Sequence, residues 1–98
     1  MKTAPAVTTP YRFTLFVVGN EPNSLRAIEN LEHISGEYLR NGTCSITIVD
    51  ILLDYQAALD NNVFVTPVLF VDGPRGRSTI VGNLSDIDRI VLTIGFNK

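Results

Sequence analysis

The chain has 98 residues, 45% of them hydrophobic and 18% charged, with a formal net charge of −2. That length supports one domain with a single core. Eight scattered lysines and arginines exclude a basic nucleic-acid face, one cysteine (Cys44) excludes an internal disulfide or a two-thiol redox cycle, and one histidine (His33) excludes a His-rich metal site.

Residues 1–10, rich in Thr, Ala and Pro, offer nothing to bury and are expected to be a disordered lead to a domain spanning 11–98. The lead has no signal-peptide core and no apolar run reaches membrane-spanning length, so a cytoplasmic location is expected and no membrane partner. Phe13–Val18 is apolar and rich in β-branched and aromatic residues, the pattern of a strand covered on both faces. Gly19 offers an unusual backbone angle, Asn20 or Asn23 offers a cap, and Pro22 fits only a first helical turn, so a helix starts within 20–24. Leu25, Ile28, Leu31 and Ile34 then recur at helical spacing, predicting a helix to Arg40 that Asn41-Gly42 stops.

Cys44–Ile51 alternates and then turns wholly apolar, a second strand that Asp50 closes. Strand, long helix and strand make a right-handed crossover, so the two strands are expected to be parallel. Leu52–Asp60 reads as a short helix or turn with Leu52, Tyr55, Gln56 and Leu59 spaced for one face, ended by Asn61-Asn62. Pro67 interrupts the apolar run Val63–Val71, and proline cannot occupy a central ladder, so the third strand begins at or after it. Residues 72–77 have turn composition and Ser78–Val81 returns as an antiparallel hairpin partner. Gly82-Asn83 turns the chain again, and Ser85 with Asp88 caps a last helix whose stripe is Ile87, Ile90, Val91 and Ile94. The order is βαβαββα, an α/β domain.

Little in this order carries chemistry. Cys44 lies on a strand and reads as a buried structural thiol. Glu29, His33 and Glu37 share a helical face, but nothing else supplies a ligand and the three read as solvated. Asp50, Asp54, Asp86 and Asp88 stand near strand ends and helix starts, where two held close could do acid–base work, but three of the four read as caps or helix-start charges. Arg75 and Arg77 stand in a Gly-rich loop between strands, not at the helix start that favours a phosphate. No catalytic residue, metal or cofactor follows from the sequence.

Four stretches carry a resemblance. Gly19-Asn20-Glu21-Pro22-Asn23-Ser24-Leu25-Arg26-Ala27, Val49-Asp50-Ile51-Leu52, Thr66-Pro67 and Ile80-Val81-Gly82-Asn83-Leu84-Ser85-Asp86 resemble, in order and at similar spacing, the motifs of the KaiB family. The resemblance covers about residues 12–96. It implies a thioredoxin-like domain with a cis Thr66–Pro67 bond and, in the turn where thioredoxins keep two cysteines, no sulfur. It implies a non-catalytic circadian-clock component that binds the hexameric ATPase KaiC. The bound complex then sequesters KaiA, and family members also compete with the sensor domain of the histidine kinase SasA. Family members also switch between a tetrameric ground state, with a rearranged second half, and a thioredoxin-like binding state. Gly19, Asn20, Pro22, Asn23, Ser24, Asp50, Thr66, Pro67, Gly82 and Ser85 are the matched motif residues; Arg26 is the expected partner contact and Asn62 a second.

The chain departs from the family pattern at Leu59–Val65, where a charged stretch is usual, at Asp72–Thr79, where a Pro-rich Arg-Arg segment is common, and at Gly82-Asn83 in place of Gly-Asp. Good hairpin chemistry at residues 72–77 favours the thioredoxin-like arrangement over the ground-state one. The alternative function is a stand-alone SasA-like sensor domain working with a histidine kinase. A dimer or tetramer is compatible with either.

Overall fold

The computed structural model describes residues 11–38, 44–73, 76–86 and 90. Its elements run β1 (Tyr11–Val17), α1 (Pro22–Tyr38), β2 (Cys44–Asp50), α2 (Tyr55–Asp60), β3 (Val68–Gly73) and β4 (Gly76–Val81). They form a four-stranded sheet in the order β2-β1-β3-β4. β1 and β2 pair in parallel, with Phe13 opposite Ile46 and Val17 opposite Asp50, as the crossover argument requires. β3 runs antiparallel to β1 and β4 antiparallel to β3. The predicted disordered lead, the Asn41-Gly42 helix stop, Arg75 and most of the last helix lie outside the described residues, although Ile90 is helical and buried.

β1 carries the core because it is central and covered on both faces. Phe13, Leu15 and Val17 pack with Leu69 and Val71 against Ala27, Leu31 and Ile34 of α1, joined by Leu84 and Ile90. The buried stripe of α1 is therefore Ser24, Ala27, Leu31 and Ile34, and Leu25, expected on that face, is 44% exposed. Small side chains at the helix start let α1 come close to the sheet, which rotates Leu25 outward. On the opposite face Phe16, Val68 and Phe70 form a smaller cluster with Val49, Ile51, Ala57 and Val63 against it. Phe16 and Phe70 meet edge to face with centroids 5.5 Å apart, a geometry that satisfies the ring quadrupoles.

The segment expected to be a short helix or turn is both, a turn over residues 51–53 and then α2. Asp54 accepts from Ala57 N–H at 3.1 Å and caps the helix, so it begins at Tyr55. Residues 51–53 form a turn on the Asp50 carbonyl, which accepts from the N–H groups of Leu53 and Asp54. The later start turns Ala57 and Ala58 inward. Leu52, Tyr55 and Leu59, expected to form the inner face, are exposed at 68%, 66% and 52%. Asn62 follows the helix with φ +56°, a left-handed conformation that asparagine tolerates better than most residues.

The β3–β4 hairpin is pinned by Arg77. Its guanidinium bridges Asp72 through Nε–Oδ1 at 2.7 Å and Nη2–Oδ2 at 3.1 Å, and lies 4.5 Å from the centroid of Phe70. The hydrogen bond to Asp72 raises the Arg77 pKa above its ordinary value; slight desolvation opposes this, and the Asp72 charge adds to it.

One carboxylate oxygen joins the two parallel strands at their C-terminal ends. Asp50 Oδ1 accepts from Gly19 N–H and Leu52 N–H, each at 3.0 Å, while Ile51 N–H donates to the Val17 carbonyl at 2.9 Å. Asp50→Ala is expected to cost about 1–3 kcal/mol in urea unfolding, because two donors lose one charged acceptor. Leu31→Ala, at a core position 1% exposed, is expected to cost about 2–5 kcal/mol. Leu53→Ala, at 86% exposure, should change stability by no more than about 0.5 kcal/mol. Equal losses in the two leucine variants would contradict the packing described.

Candidate functional site

The strand registers bring four connections to one end of the sheet. Val17 pairs with Asp50, Phe16 with Val68, and Val68 with Val81. The segments after β1, β2 and β4 and before β3 therefore meet there. In open sheets, ligands and partners engage where connections diverge at strand C-termini.

The turn after β1 is built from its own side chains. Gly19 has φ +46°, and a Cβ there would stand 3.0 Å from Leu52 Cδ1, so backbone and neighbour both favour glycine. Glu21 N–H donates to the Val18 carbonyl at 3.1 Å. Ser24, completely buried, accepts from Val18 N–H through Oγ at 3.0 Å, which satisfies a donor at the end of β1. Ser24 N–H donates to Glu21 Oε1 at 2.9 Å and Leu25 N–H to the Glu21 carbonyl at 3.0 Å. Glu21, not Asn20 or Asn23, thus closes the first turn of α1. Proline at the first helical position leaves the residue before it as the cap, and a longer acidic side chain reaches the same N–H.

Asn23 has another partner. Its Oδ1 faces Asn83 Nδ2 at 3.4 Å, and Asn30 Nδ2 donates to the Asn83 carbonyl at 2.7 Å. Asn83 Oδ1 in turn accepts from Ser85 N–H at 3.1 Å. Gly82 has φ +114° and donates to the Pro67 carbonyl at 2.9 Å. The Thr66–Pro67 bond is cis, as expected from the thioredoxin-like order. The matched motifs therefore meet: Gly19 and Asp50, Asn23 and Gly82-Asn83, Pro67 and Gly82. Ser85 is exposed. Its proposed capping partner Asp88 lies outside the described residues.

Arg26 is exposed in the first turns of α1, on a different element from Asn62, which is exposed at the left-handed position after α2. The sequence reading missed a set of exposed apolar side chains on the segments after β2 and before β3 and at the end of β4. Leu52, Leu53, Phe64, Val65 and Val81 are exposed at 68%, 86%, 89%, 53% and 63%. Leu52-Leu53 after a turn-forming aspartate and Phe64-Val65 before Thr-Pro were the available signals, hidden because apolar residues in an apolar-rich stretch look like core. Chemically this end offers apolar area and amides. Among the described residues no group of His, Cys, Asp and Glu could hold a metal ion. His33 and Glu29 are exposed. Cys44 opens β2, and its side chain, like that of Glu37, lies outside those described. No described helix is long and apolar enough to cross a membrane.

No family model matches the chain. The solution structure of the N-terminal domain of Synechococcus elongatus SasA superposes with a TM-score of 0.73 at 20% identity, covering 100% of this chain and 95% of that one. The X-ray structure of Fasciola hepatica thioredoxin gives 0.72 at 14% identity, covering 93% and 84%. Those likenesses define the fold, which is thioredoxin-like. Sequence goes further: the circadian clock oscillator protein KaiB of Acaryochloris marina is 33% identical over 87 residues, 89% of this chain and 83% of that protein. With the four motifs gathered at one end of the sheet and that identity running along most of its length, this chain belongs to the KaiB family.

Proposed function

We propose that this protein is a non-catalytic, cytoplasmic clock-type regulator that docks this end of its sheet on a KaiC-type ATPase ring. The observation that carries the reading is the exposed apolar rim beside the matched turn, Leu52, Leu53, Phe64 and Val65. Such grouped apolar surface marks a protein contact, whereas a thioredoxin-type reaction needs thiols, and residues 19–24 contain none. Arg26, within the chain's first matched motif, supplies a charged contact, and Asn62 a polar one. KaiA-type and SasA-type proteins are the further partners that family membership suggests.

The reading extends to a second arrangement of the C-terminal half. Seven of the ten exposed large hydrophobic side chains among the described residues fall between Leu52 and Val81. An arrangement or oligomer that covers them lies within reach, since two packings need differ by only a few kcal/mol. Apparent affinity for the ring then falls in proportion to the population of the binding form.

An amide-correlation NMR spectrum with and without a KaiC-type ring tests both parts. Two slowly exchanging peak sets for residues 60–96, one selected by the ring, support docking with switching. One set that binds unchanged supports docking alone. A spectrum the ring leaves untouched overturns the KaiC reading and moves the SasA-like alternative forward, to be sought by kinase pull-down. Arg26→Ala is expected to weaken ring binding at least tenfold, about 1.4 kcal/mol, with unchanged circular dichroism. Undiminished binding removes Arg26 from the contact. Insulin reduction should be blank.

A further inference from the structure

α2 turns only its small side chains inward, Ala57 half-buried and Ala58 buried, and leaves Tyr55 and Leu59 exposed. These two stand four residues apart, one above the other on the same side of the helix, and form an apolar ridge. The charge around the ridge has one sign. Between Arg40 and Arg75 the chain holds no lysine or arginine and four aspartates. Two of the four are committed: Asp50 Oδ1 accepts from Gly19 and Leu52 N–H, and Asp72 is bridged by Arg77. Asp54 and Asp60 stand at the two ends of α2, exposed and, among the described residues, in no ion pair. Asp54 accepts from Ala57 N–H at 3.1 Å and Asp60 from Gln56 Nε2 at 2.9 Å, neutral donors that leave both charges uncompensated. Asp60 also sits badly for the helix alone. α2 has no basic residue in its last turn, where the carbonyl end of the helix dipole favours a cation.

We propose that the outer side of α2 seats a lysine- or arginine-bearing amphipathic helix of a partner protein. This contact does not depend on the ring docking described above. Apolar residues one turn apart on the partner helix meet the Tyr55–Leu59 ridge, as packed helices interdigitate, and an exposed tyrosine is a side chain that anchors such contacts. Asp54 and Asp60 lie about 9 Å apart along the helix axis. That is the rise between positions roughly six or seven apart on a second helix, so a two-turn segment with a basic side chain near each end engages both. The sign of the charge disfavours the other occupants. Anionic lipid and nucleic-acid phosphates are repelled, and a second copy of this surface would set Asp54 and Asp60 against their own like charges. A cation brought to Asp60 relieves the mismatch with the helix dipole, which the isolated chain leaves standing.

The probe is a peptide of about fourteen residues, built only from leucine and lysine in helical phase, with a leucine–glutamate peptide of the same pattern as its counterpart. Titrated into the isotope-labelled full chain at about 20 mM salt, the lysine peptide is expected to shift the amide peaks of residues 52–61 before others, and to bind about threefold more weakly at about 150 mM. The glutamate peptide should leave those peaks in place. Asp60→Lys, at an exposed position, should bind the lysine peptide about three- to tenfold more weakly and gain binding of the glutamate peptide, with unchanged circular dichroism. Asp60→Asn, which keeps an acceptor for Gln56, should fall between the two. The absence of any shift at about 1 mM lysine peptide overturns the proposal. So does equal binding of both peptides to the wild type, which reduces the contact to apolar adhesion. Shifts centred on α1 overturn it as well, since Glu29 and Glu32 are the competing exposed acids there, and so does an affinity that Asp60→Lys leaves unchanged.

Discussion

The single acceptor at Asp50 Oδ1 holds the C-terminal ends of the two parallel strands together. Parallel strands have no tight turn between them, so beyond the ladder their C-terminal ends are tied by what the connections supply. Here one oxygen takes the N–H of Gly19, leaving β1, and of Leu52, leaving β2. That fixes where α1 starts and where the Leu52-Leu53 pair is displayed. A neutral side chain of the same size could accept the same two bonds, but hydrogen bonds to a charged acceptor are the stronger kind. The aspartate and the glycine act as one unit: the close approach of Leu52 to Gly19 follows from the shared oxygen between them.

The sheet is covered unevenly, and the uneven cover determines what the surface can do. α1 buries one face of β1 and β3. The other face has a six-residue helix, a proline-led segment and the guanidinium of Arg77 over Phe70. α2 meets the sheet through alanines, which leaves its larger side chains outside. In a chain of 98 residues with 45% hydrophobic content, apolar side chains that are not needed for the core have to be displayed somewhere. They are displayed along α2, at the end of the sheet and on the β2 edge.

Most of the architecture was legible because local signals agreed with one another. Pro22, the apolar run before Gly19 and the helical spacing of Leu31 and Ile34 all place α1 without reference to anything distant. Pro67 set the start of β3, and Asp50 the end of β2, to within a residue. The misreadings share one cause, which is rotation of a helix about its axis. Leu25, Tyr55 and Leu59 had the right spacing for a buried face, but spacing leaves open which of two adjacent stripes faces the sheet; Leu52 falls in the turn before α2. Small residues decided it: Ser24 and Ala27 in α1, Ala57 and Ala58 in α2 approach the sheet where bulkier ones cannot. The cap of α1 was missed for a related reason, since glutamate reaches a helix-start N–H by length instead of by type. The rim was illegible because exposure is a property of the assembled fold; Phe64 in the strand-like run 63–71 has nothing local to mark it as 89% exposed.

The contacts joining the two halves of the chain are of two kinds with different consequences. β3 is bound to β1 by a full antiparallel ladder and by Leu69 and Val71 in the main core, so it cannot leave without exposing the centre of the protein. The segment after β4 is held to α1 by Leu84 and Ile90 in the main core and by asparagines: Asn30 and Asn23 bond Asn83 just before Leu84, which adopts φ +64° and is buried. A left-handed leucine costs of order 1–2 kcal/mol, and its burial returns an amount of the same order, about 1.5–3 kcal/mol. The hydrogen bonds of Asn83 then set the balance at this point, each contributing roughly 1 kcal/mol net. The segment after β4 is thus held by a few side-chain bonds and two core residues, whereas β3 is held along its whole length by the ladder to β1.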